Sequence, residues 1–351
     1  MTTWSEDEVE VLARAVTRAP SVHNTQPWEL KLADRRAELA ERPEFALSHH
    51  DPDGRDRLIS CGAALANLWL AVRVLGWRAN LETEAIPPWA GAVTGVLREP
   101  PGAFELHLYT AISRRRSHRR AFASVAVSED VLSRVVGFAG DEVRVRLVEE
   151  DEVHPLAVIV ERAAKIIQGD AGYQAELAAW TTAWRPDGVG AGVLEPGYSR
   201  AGPPWAGLVR PESRIPDALA LAARMENDVI LVFCTENDER ADHVRTGLAM
   251  QRAWLSAVDN ELAGSVLTQP LHVRNIRAEL SERLSLPGFP QLIMRLGHPA
   301  GPVRRSPRWP VERLTHGDGP NAGQPIGVDQ GPAAWQGRQS VERWRSSGHD
   351  G

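Results

Sequence analysis

Two short polar segments of the chain carry side chains that could bind a charged, planar ligand. The first segment is residues 19–28, in which Pro20 and Pro27 bound a polar loop. This loop carries the side chains of Ser21, His23, Asn24 and Gln26. Such a loop can present backbone and side-chain amides to a flat heterocycle with carbonyl and imide edges. It could also be only a connector to the strand predicted from Trp28 to Leu32, and His23 need not then be a ligand or an acid.

The second segment, residues 114–120, reads Arg-Arg-Arg-Ser-His-Arg-Arg. Arginine offers a planar, permanently charged fork that matches a phosphate group, and Ser117 adds a hydroxyl. A solvated surface turn is the alternative. A nucleic-acid patch is disfavoured, because the segment is short, has no interleaved aromatic residues and belongs to a chain with a net charge of −6.

The helices and strands that position these two segments are predicted from a sequence pattern that occurs twice in the chain. Ser5 and Glu8 form a predicted capping box, and apolar residues follow it at helical spacing. Pro20 ends this helix, because the residue before a proline avoids the α region. Ser128 begins a similar helix 123 positions after Ser5.

A second pair of landmarks lies further along each half. Gly62 is followed by Trp69 and Gly247 by Trp254 at the same spacing, and the two glycines are 185 positions apart. Strand-like segments at residues 45–47 and residues 229–233 precede the two runs, each followed by a polar turn. Chance similarity between two alanine-rich helices is the alternative, but agreement in order across several elements favours a duplication.

The second half is 62 residues longer between these landmarks. The excess includes residues 184–211, which are rich in glycine and proline yet carry aromatic side chains: Trp184, Tyr198 and Trp205. We expect a lid over a shared site, although a surface excursion could have the same composition. Residues 291–297 predict a strand, and residues 315–351, rich in Gly, Pro and Gln, predict a disordered tail.

Composition sets the broad class of the protein. A length of 351 residues suits two fused units, and 43% hydrophobic and 25% charged residues are typical of soluble globular proteins. The acidic start and the lack of an apolar run near the ~18 residues of a membrane span predict a cytoplasmic protein. Cys61 and Cys234 have no metal or disulfide spacing and are predicted to be buried apolar thiols.

The two polar segments together resemble motifs of the FMN-dependent nitroreductase superfamily. Residues 19–28 are similar to its Ala-Pro-Ser-x-x-Asn-x-Gln-Pro-Trp signature, and residues 115–119 to its Arg-Arg-Ser-x-Arg motif. Ordinary members carry both motifs in one subunit, and two subunits build two identical FMN sites. Here each half lacks the motif of the other, since Ala-Gly-Asp at residues 139–141 stands where the second loop would come. The chain therefore resembles the Acg branch, in which single-chain FMN-binding proteins carry a lid.

The resemblance implies an α+β nitroreductase-like fold, with two repeated halves around a pseudo-twofold axis. The first half would span residues 1–110, the second residues 111–314 and the tail residues 315–351. Because the obligate interface would be internal, we expect a monomer or weak homodimer with one composite FMN site.

The family pattern also implies the cofactor-binding residues: Pro20, Ser21, His23, Asn24, Gln26, Arg115, Ser117, Arg119 and Arg308. Arg115, Ser117 and Arg308 match phosphate and ribityl contacts, and Arg119 matches a cation near the flavin N1 and O2 edge. One extra residue before the following phenylalanine leaves Arg119 and Arg120 interchangeable. Arg305 and Arg308 are likewise not separated by the pattern.

Two functions follow from the resemblance. An enzyme would take hydride from NAD(P)H at flavin N5 and reduce a nitroaromatic or quinone-like acceptor, with no catalytic side chain required. The alternative is a non-catalytic protein that stores, sequesters or senses FMN beneath a lid. Neither function needs a nucleic acid, a membrane or a metal.

Overall fold

The computed structural model of the protein describes residues 3–180, 208–302, 305–306, 308–311 and 314. The predicted lid lies outside the described residues except at positions 208–211, and the predicted tail lies outside them entirely. The helices are α1 Glu6–Thr17, α2 Arg55–Val74, α3 Ala103–Arg114, α4 Glu129–Gly137, α5 Val153–Gly169, α6 Ala171–Trp180, α7 Ala218–Met225, α8 Arg240–Asp259, α9 Gln269–His272 and α10 Arg274–Arg283. The strands are β1 Trp28–Ala33, β2 Arg36–Glu41, β3 Trp77–Glu82, β4 Trp89–Arg98, β5 Arg144–Leu147, β6 Val229–Thr235, β7 Ala263–Leu267 and β8 Phe289–Gly297.

The described strands form two antiparallel sheets of four strands each. Their strand orders are β1-β2-β4-β3 and β5-β6-β8-β7, so the two sheets have the same topology. This confirms the α+β class and the repetition of the fold. Helix α3 runs through position 110, and the division of the chain at that position stays a prediction.

The two long helices α2 and α8 cross at the glycines that mark the repeat. A Cβ added to Gly62 would lie 2.0 Å from the carbonyl oxygen of Val244. One added to Gly247 would lie 2.0 Å from the carbonyl oxygen of Ile59. Glycine is therefore required on both sides, because only the missing side chains let the two backbones approach this closely. Val244 and Gly247 are each 185 positions beyond Ile59 and Gly62, so the contact obeys the repeat.

The second sheet is covered on both faces, and side chains along strand β6 alternate between two cores. Leu231 and Phe233 join the main core with helices α1, α2 and α8. Ile230 and Val232 join a second core, which is shared with helices α5, α7 and α10. This alternation follows from the two-residue period of a strand.

Several local predictions are confirmed. Ser5 caps α1, with its hydroxyl 3.3 Å from the Glu8 amide and the Glu8 carboxylate 2.9 Å from the Ser5 amide. Ser128 caps α4, and its hydroxyl accepts a hydrogen bond from the Val131 amide. The strands predicted from Trp28, at residues 229–233 and at residues 291–297 are β1, β6 and β8. Cys61 and Cys234 are buried and free, and burial raises the pKa of each thiol to about 12.

Two predictions are wrong. Residues 45–47 do not form a strand: a 3₁₀ turn covers Pro43–Phe45, since Pro43 fixes φ and offers no amide to a sheet. The expected lack of a long apolar run is also wrong, because helix α2 is long and apolar enough to cross a membrane. However, most of this helix is buried inside the protein, where it forms part of the main core.

Candidate functional site

The first polar segment forms a strained loop between α1 and β1. His23, Asn24 and Gln26 all adopt positive φ angles, of 45°, 59° and 51°. Non-glycine residues rarely do so, and such conformations persist where surrounding contacts hold them. Here the Ser21 hydroxyl accepts from the Gln26 amide at 3.0 Å, and Ser60 of α2 accepts from the backbone of this loop at 3.1 Å. The loop is thus fixed to helix α2.

The second polar segment leaves the end of α3 and runs beside strand β7. The His118 amide donates to the Gly264 carbonyl at 2.8 Å, and Ser117 forms a parallel bridge with the same glycine. A side chain at Gly264 would come within 2.7 Å of the Trp254 indole nitrogen. Glycine therefore lets strand β7, which pairs with the arginine segment here, lie against Trp254 of α8.

The two segments meet at one cleft of about 760 Å³. The first segment contributes Pro20, Ser21 and His23 to its wall, and the second contributes Ser117 and Arg119. The remaining wall comes from α2, α8, the second sheet and nearby loops: Val22, His50, Asp56, Ile59, Ser60, Leu208, Met250, Trp254, Ser265, Val266, Thr268 and Leu292. A cleft in which apolar side chains and several polar groups converge is typical of small-molecule sites.

A smaller, arginine-lined pocket of about 300 Å³ adjoins this cleft through Ser117, which lines both. Its described wall is Arg18, Arg115, Arg116, Ser117, Arg305, Ser306 and Arg308. None of these wall residues is acidic, so five guanidinium groups face one small volume without a carboxylate among them. Such a pocket is suited to a multiply charged anion.

Arg115 shows most clearly what this pocket is suited to hold. The residue is only 3% exposed, and its guanidinium lies 4.6 Å from the centre of the Trp254 ring. Its Nη2 donates to the Arg18 carbonyl at 3.2 Å, whereas Nε and Nη1 are buried with no hydrogen-bond partner among the described residues. Burial, and then the cations of Arg308, Arg116 and Arg119, hold the pKa of Arg115 well below its usual range.

Arg308 is subject to the same repulsion. Burial and the neighbouring guanidiniums, of which Arg18 is the foremost, lower its pKa to about 10. Arginine still carries its proton at neutral pH, so the guanidinium groups stay positively charged. A bound anion would therefore reduce the repulsion between them. The geometry also separates one pair that the sequence left open, because Arg119 lines the cleft whereas Arg120 is exposed. Arg305 and Arg308 both line the arginine pocket, so that pair stays open.

Asn24 and Gln26 lie beside the cavities, outside the residues that line them. The Asn24 carbonyl oxygen accepts from Arg308 Nη1 at 2.9 Å, and the Gln26 side chain accepts from the Trp309 amide at 3.1 Å. In this structure they therefore fasten the late arginine segment onto the loop.

Some wall residues were not anticipated from the sequence. Arg18 stands at the C-terminal cap of α1, directly before the predicted loop, and its position could have suggested a role. Trp254 was predicted only as a landmark of the repeat. His50 and Asp56 belong to no motif recognised in the sequence. His50 contacts His23, with their ring nitrogens 3.2 Å apart. Burial, followed by the charge of His50, holds the pKa of His23 well below its usual range.

Comparison with known proteins places the chain in a family. No family model matches the chain. The Mycobacterium tuberculosis protein named "Putative NAD(P)H nitroreductase Rv3131" is 31% identical over 335 residues, which cover 88% of this chain and 93% of that protein. The protein named "Putative NAD(P)H nitroreductase acg" from the same organism is 26% identical over 322 residues, covering 88% and 96%. The chain belongs to this NAD(P)H nitroreductase family.

Solved structures give weaker similarities. A protein described as a "putative nitroreductase" from Anabaena variabilis has a TM-score of 0.47 at 12% identity, covering 83% of this chain and 88% of that one. The FMN-dependent nitroreductase NfnB from Mycobacterium smegmatis has a TM-score of 0.40 at 15% identity, covering 60% and 98%. With scores below 0.5, the family assignment rests on the sequence relatives.

Proposed function

We propose that the protein binds one FMN and uses it as an NAD(P)H-dependent oxidoreductase. The observation that carries the proposal is a pair of neighbouring cavities. A pocket of arginines without a carboxylate in its described wall shares Ser117 with a wider cleft that has both apolar and polar side chains in its wall. FMN has the matching form, with a phosphate at one end and a planar ring system at the other.

The residues present fit this cofactor. The two buried nitrogens of Arg115 that lack partners among the described residues suit phosphate oxygens, as do the other arginines of the pocket. Arg119 adds a cation to the wall of the wider cleft, where positive charge would favour the reduced, anionic state of the ring. When bound, the flavin supplies the hydride and electron transfer, and the protein supplies position and electrostatics.

The names of the relatives support NAD(P)H as the reductant of this protein. We propose a nitroaromatic or quinone-like compound as the acceptor, since reduced flavin passes electrons to such electron-poor rings. The cleft offers Met250, Val266 and Leu292 as apolar surface against which a second planar molecule could pack. No side-chain acid or base is needed for these transfers.

Anaerobic titration of the flavin-loaded protein with NADH and with NADPH tests the proposal. The absorbance of the bound flavin should be bleached by one of them and restored by a nitroaromatic or a quinone. Free FMN under the same conditions gives the uncatalysed rate. A protein that holds flavin but is bleached no faster than free FMN would instead be a flavin store or sensor.

A further inference from the structure

A buried cluster of two histidines and one aspartate lies at the wall of the cleft. His50 comes from the turn before α2, Asp56 from the first turn of α2, and His272 from the end of α9. His50 Nε2 is 3.5 Å from Asp56 Oδ2, and His272 Nε2 is 3.3 Å from the same oxygen. His50 is 2% exposed and Asp56 is 4% exposed. The family motifs assign these side chains no role.

Two imidazole nitrogens of this cluster contact one carboxylate oxygen at ion-pair distance rather than through well-formed hydrogen bonds. Both Nε2 atoms are buried and have no hydrogen-bond partner among the described residues. The other carboxylate oxygen, Asp56 Oδ1, is contacted by Arg55 at 3.3 and 3.4 Å. Asp56 Oδ2 is therefore the oxygen that faces the two imidazoles. Buried polar atoms are rarely left without a well-formed hydrogen bond, so two imidazole nitrogens that converge on one carboxylate oxygen require an explanation.

Their spacing is that of ligands around one metal ion. Two ligand atoms bound at about 2.0–2.1 Å to tetrahedral zinc lie about 3.4 Å apart. The two distances to Asp56 Oδ2, 3.3 and 3.5 Å, fall on either side of that value. One ligand atom from each of the three residues lies within 4.8 Å of the others.

The second nitrogen of each imidazole has a neighbour as well. His50 Nδ1 is 3.2 Å from His23 Nε2, and it can donate there as metal-bound histidines commonly donate to an outer partner. His272 Nδ1 lies 3.4 Å from Arg55 Nη2. A metal on Nε2 would place a proton on that Nδ1, so the Arg55 contact must lengthen. Arg55 keeps a stronger anchor, because its Nη1 donates to the Leu271 carbonyl at 2.9 Å.

We infer that His50 Nε2, His272 Nε2 and Asp56 Oδ2 bind one zinc ion at the wall of the cleft. Two imidazoles and a carboxylate are a donor set that zinc prefers. Three protein ligands leave the fourth tetrahedral position for water or for an oxygen of a molecule in the cleft, since His50 and Asp56 line it. His272 follows strand β7 of the second sheet, whereas the other two ligands precede or begin α2, so the ion would link the two halves.

The direct test is zinc binding by the purified chain, without regard to flavin reduction. After chelator treatment and dialysis against zinc chloride, wild-type protein should hold about one zinc per chain by elemental analysis. Asp56→Asn, which keeps the shape of the side chain, and His272→Ala should each lower the affinity by at least about a hundredfold, and His23→Ala by about ten- to a hundredfold. His154→Ala, an exposed histidine on α5, is the matched control and should bind zinc as the wild type does.

Cobalt substitution in the wild-type chain tests the site without any variant, so a variant that fails to fold does not affect the result. Intense visible bands of four-coordinate cobalt, displaced by zinc, would support the site. Wild-type protein that takes up no stoichiometric zinc and shows no such bands would overturn the inference. Folded Asp56→Asn or His272→Ala protein that binds zinc as tightly as wild type would overturn it too, and would leave an ordinary histidine–aspartate ion pair.

Discussion

Arg115 is the side chain on which the proposed phosphate contact depends most. Replacing it with alanine removes a charge-assisted bond worth roughly 1.5–3 kcal/mol, or about ten- to a hundredfold in FMN affinity. Riboflavin, which lacks the phosphate, should bind the wild type and Arg115→Ala almost equally. Fluorescence titration with both ligands measures this, and Arg114→Ala serves as the control because Arg114 faces solvent and pairs with Asp259. Equal losses of FMN and riboflavin would mean that Arg115 supports the fold instead.

Arg119 and Arg120 form a second matched pair at this scale. Arg119 lines the cleft and Arg120 is exposed, so only Arg119 is positioned to stabilise negative charge on reduced flavin. Loss of a contact of about 1.5–3 kcal/mol corresponds to roughly 30–65 mV for a two-electron couple. Arg119→Gln should therefore lower the reduction potential of bound FMN by about that amount, measured against a reference dye. Arg120→Gln should leave the potential in place, and a reversed result would exchange their roles.

The residue types of the site could be predicted from sequence better than their contacts. The motifs indicated a polar loop and an arginine segment, and both border the same cleft. The hydrogen bond from Arg308 to Asn24 joins residues 284 positions apart, and no local pattern reports such a contact. The sequence likewise did not predict the cluster of His50, Asp56 and His272. Only tertiary folding brings His272 to the start of α2.

At the scale of elements, the crossing of α2 and α8 fixes the central core and carries the walls of the site. Gly62→Ala would push a methyl group against the Val244 carbonyl, a backbone atom that cannot rotate away. We expect a loss of about 1–3 kcal/mol of unfolding free energy, as for other overpacked cores. Urea denaturation measures it. Gly137→Ala is the control, since nothing lies within 4 Å of that position at the end of α4, and it should be neutral or slightly stabilising. Equal stability of the two variants would mean that the helices can separate at little cost.

Local signals predicted element ends well, and tertiary constraints account for the exceptions. The caps at Ser5 and Ser128 are decided within one turn, so the sequence contained all that was needed. The wrongly predicted strand at residues 45–47 has apolar strand-like residues but no neighbour to pair with, because β2 ends at Glu41 and Pro43 begins a turn. The spacing shared by Gly62 and Gly247 was visible in sequence, whereas its cause, the backbone contact, was not.

At the scale of the whole molecule, duplication explains why one site is expected where two could have formed. The two sheets share one strand order, and the central helices meet at equivalent glycines. The polar loop occurs only near residue 20 and the arginine segment only near residue 117. The polar loop and the arginine segment can therefore form one composite site. The equivalent site related by the repeat would have neither motif.

The flavin content of the intact chain tests this account most directly. Protein purified with added FMN and freed of excess ligand should be yellow and should release FMN on denaturation in a ratio near ~1 per chain, as one composite site requires. The same sample should elute as a monomer or weak dimer, because the paired halves lie within one chain. Two flavins per chain, or a folded, colourless protein that FMN does not reconstitute, would contradict the single composite site.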